Sequence, residues 1–199
     1  EAYGEVWKSF QLRKSWSASD HPRDKDGRFA TVYHTTKNKD FKYDSNYHNL
    51  KQEMGRGLYT APSEDIPYWH RAMADPGTGD MHPYVIPIHI PKAKLIHQQE
   101  IPGENALAKH LIQHFGSGDK ALQALEAEEK HHVTGETLGM RAFEVAQRRL
   151  YAKTNGYHGI ILHDPKEGHQ IMLFDDSHVQ YGPAMTADEF YKKQRWGEI

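Results

Sequence analysis

Two short apolar runs near the carboxyl end of the chain constrain its fold most strongly. They are GIIL at residues 159–162 and QIMLF at residues 170–174. Both runs lack the alternation of apolar and polar residues that is typical of a strand with one face in water. The pattern therefore predicts two strands in a sheet that is covered on both faces.

Strand-like and helix-like segments alternate through the part of the chain that precedes these runs. Clusters of β-branched and aromatic residues predict strands at residues 31–36, 57–61 and 84–90. Pro87 in the third of these strands indicates a sheet edge or a bulge, because proline has no N–H to donate. Apolar periodicity, a Ser63 N-cap and glycine stops predict helices at residues 64–74, 104–115, 119–130 and 136–154. The combination predicts a mixed α/β or α+β domain.

Composition counts against several classes of function. Lys and Arg number 25 and Asp and Glu number 27, so the chain lacks the basic excess typical of nonspecific nucleic-acid binders. The absence of cysteine excludes disulfides, thiolate zinc sites and a cysteine nucleophile. No run approaches the roughly 18 apolar residues that a membrane-spanning helix needs, so no membrane partner is expected.

The 15 histidines raise the alternative of a metal-dependent hydrolase. His110 and His114 have the i,i+4 spacing that lets two helical histidines bind one metal ion. No HExxH motif accompanies them, and exposed helix residues are the commoner explanation of such a pair. No metal-ligand set is therefore predicted, and the hydrolase remains the weakest alternative.

Three motifs in the predicted domain stand out together. The first is Tyr33-His34-Thr35-Thr36 at the end of a strand, and the second is GRGLYTA at residues 55–61, followed by Tyr68 in a helix. The third is the strand QIMLF, which is followed by Asp175. Taken singly, each of these residues has a structural explanation, since a lone histidine or tyrosine in a strand is more often part of the core.

In this order the motifs resemble the ADP-ribosyltransferases of the diphtheria-toxin and poly(ADP-ribose) polymerase type, the His–Tyr–Glu branch. The resemblance spans about residues 31–180 and implies an α+β fold with a split β core of two small sheets surrounded by helices. It also implies transfer of ADP-ribose from NAD, bound as substrate, to a macromolecular acceptor with release of nicotinamide. The implied catalytic positions are His34, Tyr59 and Gln170, and the implied NAD-binding positions are His34, Thr35, Thr36, Gly57, Tyr59 and Tyr68.

The chemistry of NAD cleavage explains these residue types. Breaking the bond between nicotinamide and ribose passes through an oxocarbenium-like transition state, as in glycoside cleavage. By the resemblance, Tyr59 and Tyr68 hold the nicotinamide ring, and the backbone of Thr35 binds its carboxamide. His34, supported by Thr36, would bind the ribose on the adenosine side.

Position 170 departs from the family pattern, which has glutamate four residues before the aromatic residue. Here Gln170 stands four residues before Phe174, and Glu167 comes three residues too early in the chain. Glutamine keeps the hydrogen-bonding reach of glutamate and loses its charge, so reduced or disarmed activity is expected. A natural variant, a deliberate change and an inactive relative all fit this residue.

The remaining expectations concern organisation and partners. Residues 1–28 are interpreted as an N-terminal helix (3–14) and a polar linker (15–28), and residues 29–199 as the NAD-binding domain. The stretch HPRDKDGRF at 21–29 resembles linkers of phage head-morphogenesis proteins, which implies a phage-derived or polymorphic-toxin domain acting in a host cytoplasm. The acceptor is a protein by default, with nucleic acid as the alternative, and residues 101–154 could dock an immunity or carrier protein. A noncatalytic module that binds NAD, ADP-ribose or a partner remains the rival reading.

Overall fold

The computed structural model describes residues 31–44, 55–72, 74, 78–90, 93–132, 139–164 and 168–199 of the 199-residue chain. The predicted helix and linker at residues 1–28 lie outside the described residues, as does the proposed domain boundary. The described strands are β1 (Thr31–Thr36), β2 (Leu58–Thr60), β3 (Tyr84–His89), β4 (Leu95–His97), β5 (Gly159–Asp164), β6 (Gly168–Leu173), β7 (Gln180–Tyr181) and β8 (Met185–Thr186). The α-helices are α1 (Ile66–Ala72), α2 (Glu104–Phe115), α3 (Gly118–His132), α4 (Gly139–Thr154) and α5 (Ala187–Trp196).

The strands form two small sheets. In the first sheet β3 is central, with β1 on one side and both β7 and β8 on the other, and all of these pairs are antiparallel. The second sheet has the order β2-β6-β5-β4, in which only the β4–β5 pair is parallel. The predicted α+β class with two small sheets is therefore confirmed.

The two sheets meet where β1 passes the end of β2. The N–H of Tyr33 donates to the carbonyl of Ala61 (2.8 Å), and the N–H of Ala61 donates to the carbonyl of Tyr33 (2.9 Å). This junction is called the seam below. It places the first two sequence motifs side by side.

Both faces of the second sheet are covered, as its apolar strands predict. On one face Ile160, Leu162 and Met172 join a cluster with buried residues of α2, α3 and α4. On the other face Ile161, Ile171 and Leu173 pack against residues of the first sheet. The central strands have no polar face because side chains of one strand alternate between these two clusters.

Pro87 lies in the central strand of the first sheet, so the expectation of an edge strand is wrong. In the β1–β3 ladder Pro87 lies opposite Tyr33, whose own N–H and carbonyl point to Ala61. The position of the missing N–H therefore faces the other side of β3, between the segments that pair with β7 and β8. There the carbonyl of Pro87 accepts from the N–H of Gly182 (2.8 Å). The central strand tolerates proline because its neighbour is interrupted at that point.

The first helix begins two residues later than its sequence predicts. The carbonyl of Pro62 accepts from the N–H groups of Asp65 and Ile66 in a turn that leads into α1. The hydroxyl of Ser63 donates to the Glu64 carboxylate, so Ser63 is not the N-cap. With this start, Pro67 falls in the first turn, where its missing N–H has no helical partner to lose.

Helix α5 carries a buried residue and was not predicted. Thr186 and Glu189 form a capping box at its start, and Gly197 ends it in the left-handed conformation. Phe190 of this helix packs with Tyr33, Ala61, Ile66 and Val85 at the seam. None of the helices in the described ranges is long and apolar enough to cross a membrane.

Candidate functional site

The seam brings His34 against the backbone of the second motif. Because Tyr33 pairs antiparallel with Ala61, the residues that follow Tyr33 in β1 lie near the residues that precede Ala61 in the second motif. The Nδ1 atom of His34 lies 2.7 Å from the carbonyl oxygen of Tyr59. Since a carbonyl can only accept a hydrogen bond, Nδ1 carries the proton.

The surroundings of His34 keep its ring neutral. Burial lowers the pKa of His34 to about 4, and proximity to His82 adds to this effect, whereas the bond to Tyr59 opposes it. Phe41 stacks on the ring, with the centroids 4.2 Å apart. A neutral ring whose proton is on Nδ1 has a lone pair on Nε2, so His34 can accept a hydrogen bond from a ligand hydroxyl.

The backbone of Thr35 faces the same side of β1 as that of Tyr33. Backbone N–H and carbonyl groups of alternate residues in a strand point the same way. Those of Tyr33 point to Ala61, so those of Thr35 also point away from β3, just beyond the seam. A donor and an acceptor on one strand edge match the two hydrogen-bonding groups of a carboxamide. The hydroxyl of Thr36 accepts from the N–H of Asn38 (3.1 Å) and so shapes the turn after β1.

Tyr59 is fixed by the glycine turn that precedes it. Its hydroxyl donates to the carbonyl of Gly55 (2.8 Å), and its ring packs against the cluster that the second sheet forms with α2, α3 and α4. A Cβ atom on Gly57 would lie 2.5 Å from Met172 Sδ and 2.6 Å from the carbonyl oxygen of Leu173. Gly57 is thus required by its close contact with β6, and its predicted contact with NAD stays a prediction.

Gln170 shares a face of the second sheet with Tyr59. Residues directly opposite in an antiparallel pair point to the same face, and Tyr59 lies opposite Met172. Gln170 is two residues from Met172 on β6, so it is a diagonal neighbour of Tyr59, at a separation of about 7–8 Å. Its side chain is half-buried. Glu167, the acidic residue three positions earlier in the chain, lies outside the described residues.

Tyr68 and Trp69 are separated in role by their contacts. Trp69 donates from Nε1 to the carbonyl of His169 (3.1 Å) and packs against the cluster that Phe190 forms with Tyr33 at the seam. Tyr68 is half-buried and meets the Trp69 ring edge-on, with the centroids 5.1 Å apart. Trp69 therefore ties α1 to β6, and the role of Tyr68 in holding the nicotinamide stays a prediction.

Asp65 and His169 are a buried pair that sequence reasoning missed. The carboxylate of Asp65 accepts from the N–H of His169 (2.9 Å) and lies 3.3 Å from its Nδ1. This contact joins α1, which carries Tyr68, to the strand position before Gln170. The two residues are 104 positions apart, and no local pattern relates them.

His110, the first histidine of the pair on α2, has hydrogen-bond partners within the protein. His110 Nε2 lies 3.0 Å from the hydroxyl of Thr154 and 3.1 Å from the side-chain nitrogen of Asn155. Across the described ranges, no group of three or more His, Asp or Glu residues could hold a metal ion. The contacts of His110 favour the structural explanation of this pair.

The lowered pKa of His34 predicts a pH dependence of stability. An unfolded histidine titrates near pH 6.5, so between pH 6.5 and 4 the unfolded chain binds a proton at His34 that the folded chain excludes. The contribution of His34 to the free energy of unfolding is therefore highest above pH 6.5 and falls as the pH drops towards 4. Urea unfolding of the protein and of His34→Gln from pH 7.5 to 4.5 gives the free energy of unfolding at each pH. We expect this free energy to fall less steeply with decreasing pH in the variant. Equal slopes would show that the ring titrates normally.

Comparisons with known proteins give little guidance. No protein-family model matches the chain, and no curated protein matches it. A solved structure described as the crystal structure of an anti-CRISPR protein aligns with 78% of this chain and 94% of its own, at 12% sequence identity and a TM-score of 0.35. A likeness at this TM-score carries no argument about function.

Proposed function

We propose that the protein is an NAD-dependent ADP-ribosyltransferase of the His–Tyr–Glu type, with glutamine at the glutamate position. The observation that carries the proposal is the bond from His34 Nδ1 to the carbonyl of Tyr59. It joins the first two motifs at the seam and leaves Nε2 as an acceptor for a ribose hydroxyl. The tautomer establishes that Nε2 can accept a hydrogen bond, and the resemblance supplies the ribose hydroxyl as its donor.

The other contacts fit a nicotinamide nucleotide at the seam. The outward N–H and carbonyl of Thr35 would bind the carboxamide, and the Tyr59 ring would hold the nicotinamide with Tyr68 opposite. Holding the leaving group and the ribose in fixed orientations converts binding into rate, because the reacting bond is presented in its reactive geometry. ADP-ribose would pass to an acceptor nucleophile, or to water, as the bond to nicotinamide breaks.

Position 170 decides how much catalysis accompanies binding. A carboxylate on this face would bind the ribose 2′-hydroxyl and stabilise the positive charge that develops on the ribose. The Gln170 amide can make the hydrogen bond without the charge. This favours a second candidate function, a binding module for NAD or ADP-ribose that retains the fold with little turnover.

The acceptor and the setting follow from charge and resemblance. A protein acceptor is favoured because the chain has a net charge of -2 and lacks the basic excess that nucleic acid would attract. The linker resemblance favours a phage-derived or toxin setting, with action in a host cytoplasm. An immunity or carrier protein would then meet the helical layer of α2, α3 and α4.

Loss of the His34 ring should weaken NAD binding. His34→Ala removes the acceptor for the ribose hydroxyl and the bond that holds the Tyr59 carbonyl, so we expect the Kd for NAD to rise about 10-fold or more. Isothermal titration calorimetry on the chain as it stands, with Gln170 in place, measures this directly. His114→Ala is the matched control because His114 is exposed on α2, and it should leave the Kd unchanged. Unaltered affinity in both His34→Ala and Tyr59→Ala would contradict the proposal.

A further inference from the structure

Arg149 is an unusual residue to find in the interior of a protein. It lies on α4 with an exposed fraction of 0%, although arginine is almost never fully buried unless its charge is paired. An unpaired buried charge strongly destabilises the folded state. The partners of this side chain therefore indicate its structural role.

The guanidinium connects a helix, a loop and a strand. Its Nε donates to the carboxylate of Glu128 on α3 (2.7 Å). Its Nη1 donates to the main-chain carbonyl of Arg56 (2.7 Å) and lies 3.6 Å from Met172 Sδ. Arg56 is in the glycine turn of the second motif, and Met172 lies opposite Tyr59 in the β2–β6 ladder. Arg149 thus supports the second motif from the side of the helical layer.

The contact of Arg149 with Arg56 is linked to the Tyr59 ring through the glycine turn. Arg149 holds the carbonyl of Arg56, and the adjacent carbonyl of Gly55 accepts from the hydroxyl of Tyr59. These two carbonyls belong to successive residues of one turn. A shift of the turn would move the acceptor of the Tyr59 hydroxyl and so change the orientation of the ring.

The charges around Arg149 are arranged to keep it in place. Burial raises the pKa of Glu128, but the nearby Arg149 and Lys153 outweigh this and hold it below its usual range, so Glu128 is a carboxylate. Lys153 pairs with Glu128 from the solvent side at 2.8 Å. Glu128 can therefore stay paired when Arg149 is changed. Only the planar fork of arginine can donate to Glu128 and to a carbonyl in two fixed directions at once.

We propose that Arg149 is a positioning residue that fixes the Tyr59 ring through the Gly55–Arg56 turn, and thereby sets the orientation of the bound nicotinamide. The inference rests on the proposed function for the meaning of that orientation. It assigns the helical layer a part in the reaction, since Arg149 reaches the turn from α4 and is anchored on α3.

Kinetics in an activated background test the proposal. With Gln170→Glu present, Arg149→Met should lower kcat/KM for nicotinamide release about 10- to 100-fold, because small misplacements of a reacting group have effects of this size. Most of the loss should appear in kcat. The Kd for ADP-ribose should change less than about 3-fold, because ADP-ribose has no nicotinamide for Tyr59 to orient. Methionine fills most of the space of arginine, and Arg149→Lys serves as the second variant should the first not fold.

The matched control is Lys153→Met, which removes the other cation from Glu128 and leaves the bond to the Arg56 carbonyl. It should keep kcat/KM within about 2-fold. Equal losses in Arg149→Met and Lys153→Met would overturn the proposal, because they would show that the charge cluster acts through stability alone.

Amide hydrogen exchange separates this proposal from the proposed function. Without NAD, exchange at residues 55–60 should be faster in Arg149→Met and unchanged in Lys153→Met. If exchange behaves in this way but no variant cleaves or binds NAD, the proposed function fails and the contact of Arg149 with the turn stands. If exchange and turnover in Arg149→Met both match the parent, the positioning role is wrong and the proposed function is untouched.

Discussion

A Gln170→Glu variant should release nicotinamide from NAD about 10²–10³ times faster than the present chain. Removal of one preorganised electrostatic partner typically lowers kcat by this factor, and the substitution restores such a partner. Gln170 and Tyr59 share a face of the second sheet as diagonal neighbours. The new carboxylate would therefore lie on the same face of the sheet as Tyr59, beside the ribose of the nicotinamide that Tyr59 holds. Liquid chromatography of free nicotinamide at high protein concentration measures both rates.

The control for Gln170→Glu is a glutamine-to-glutamate substitution at an exposed position away from the site. Gln180 is exposed on β7, and Gln180→Glu should leave the rate unchanged. A present chain that is already fast and gains nothing from glutamate would show that glutamine is the working residue. Absence of turnover in both proteins, with NAD still bound, would favour the binding module over the transferase.

Phe190→Ala should have the largest effect on stability. Phe190 has an exposed fraction of 0% and packs edge-on against Tyr33, with the ring centroids 5.1 Å apart. Truncation of a buried phenylalanine costs about 3–5 kcal/mol through lost apolar contact and the cavity that remains. For a chain of this size that corresponds to a Tm lower by roughly 6–20 °C. Thermal unfolding followed by circular dichroism tests the value.

Trp196 provides a matched control on the same helix. Its side chain is 76% exposed, so Trp196→Ala should change the free energy of unfolding by about 0.5 kcal/mol or less. If the two variants unfold at the same temperature, α5 does not pack on the seam. The comparison also tests whether α5 buries Phe190 and leaves Trp196 in solvent.

The sequence predicts best those elements that are determined by nearby residues. Helix α2 and strand β1 have the bounds that their patterns predict, because a continuous apolar periodicity and a glycine stop or a β-branched run define them. Helix α5 is not among the predicted helices, although Thr186 and Glu189 have the capping-box spacing that indicates a helix start. Strands β4, β7 and β8 have two or three residues each, and such short segments become strands only through their partners in the sheet.

In the candidate site, too, the sequence predicts what local motifs determine and misses what long-range contacts determine. The resemblance identifies His34, Tyr59 and position 170 because each motif is read within a few residues of chain. The carbonyl contact of His34, the Asp65–His169 pair and the reach of Arg149 to the glycine turn are all long-range. They depend on how the sheets and helices pack, which periodicity does not encode.

The interrupted strand beside Pro87 has a consequence for association between molecules. An exposed, regular sheet edge offers a row of N–H and carbonyl groups to which another chain can add a strand, and this is a common start of aggregation. The outer edge of the first sheet consists of β7 and β8, each only two residues long. Pro183 lies between them, where it cannot donate to an incoming strand. This side of the molecule is therefore a poor template for strand addition and should resist aggregation by that route.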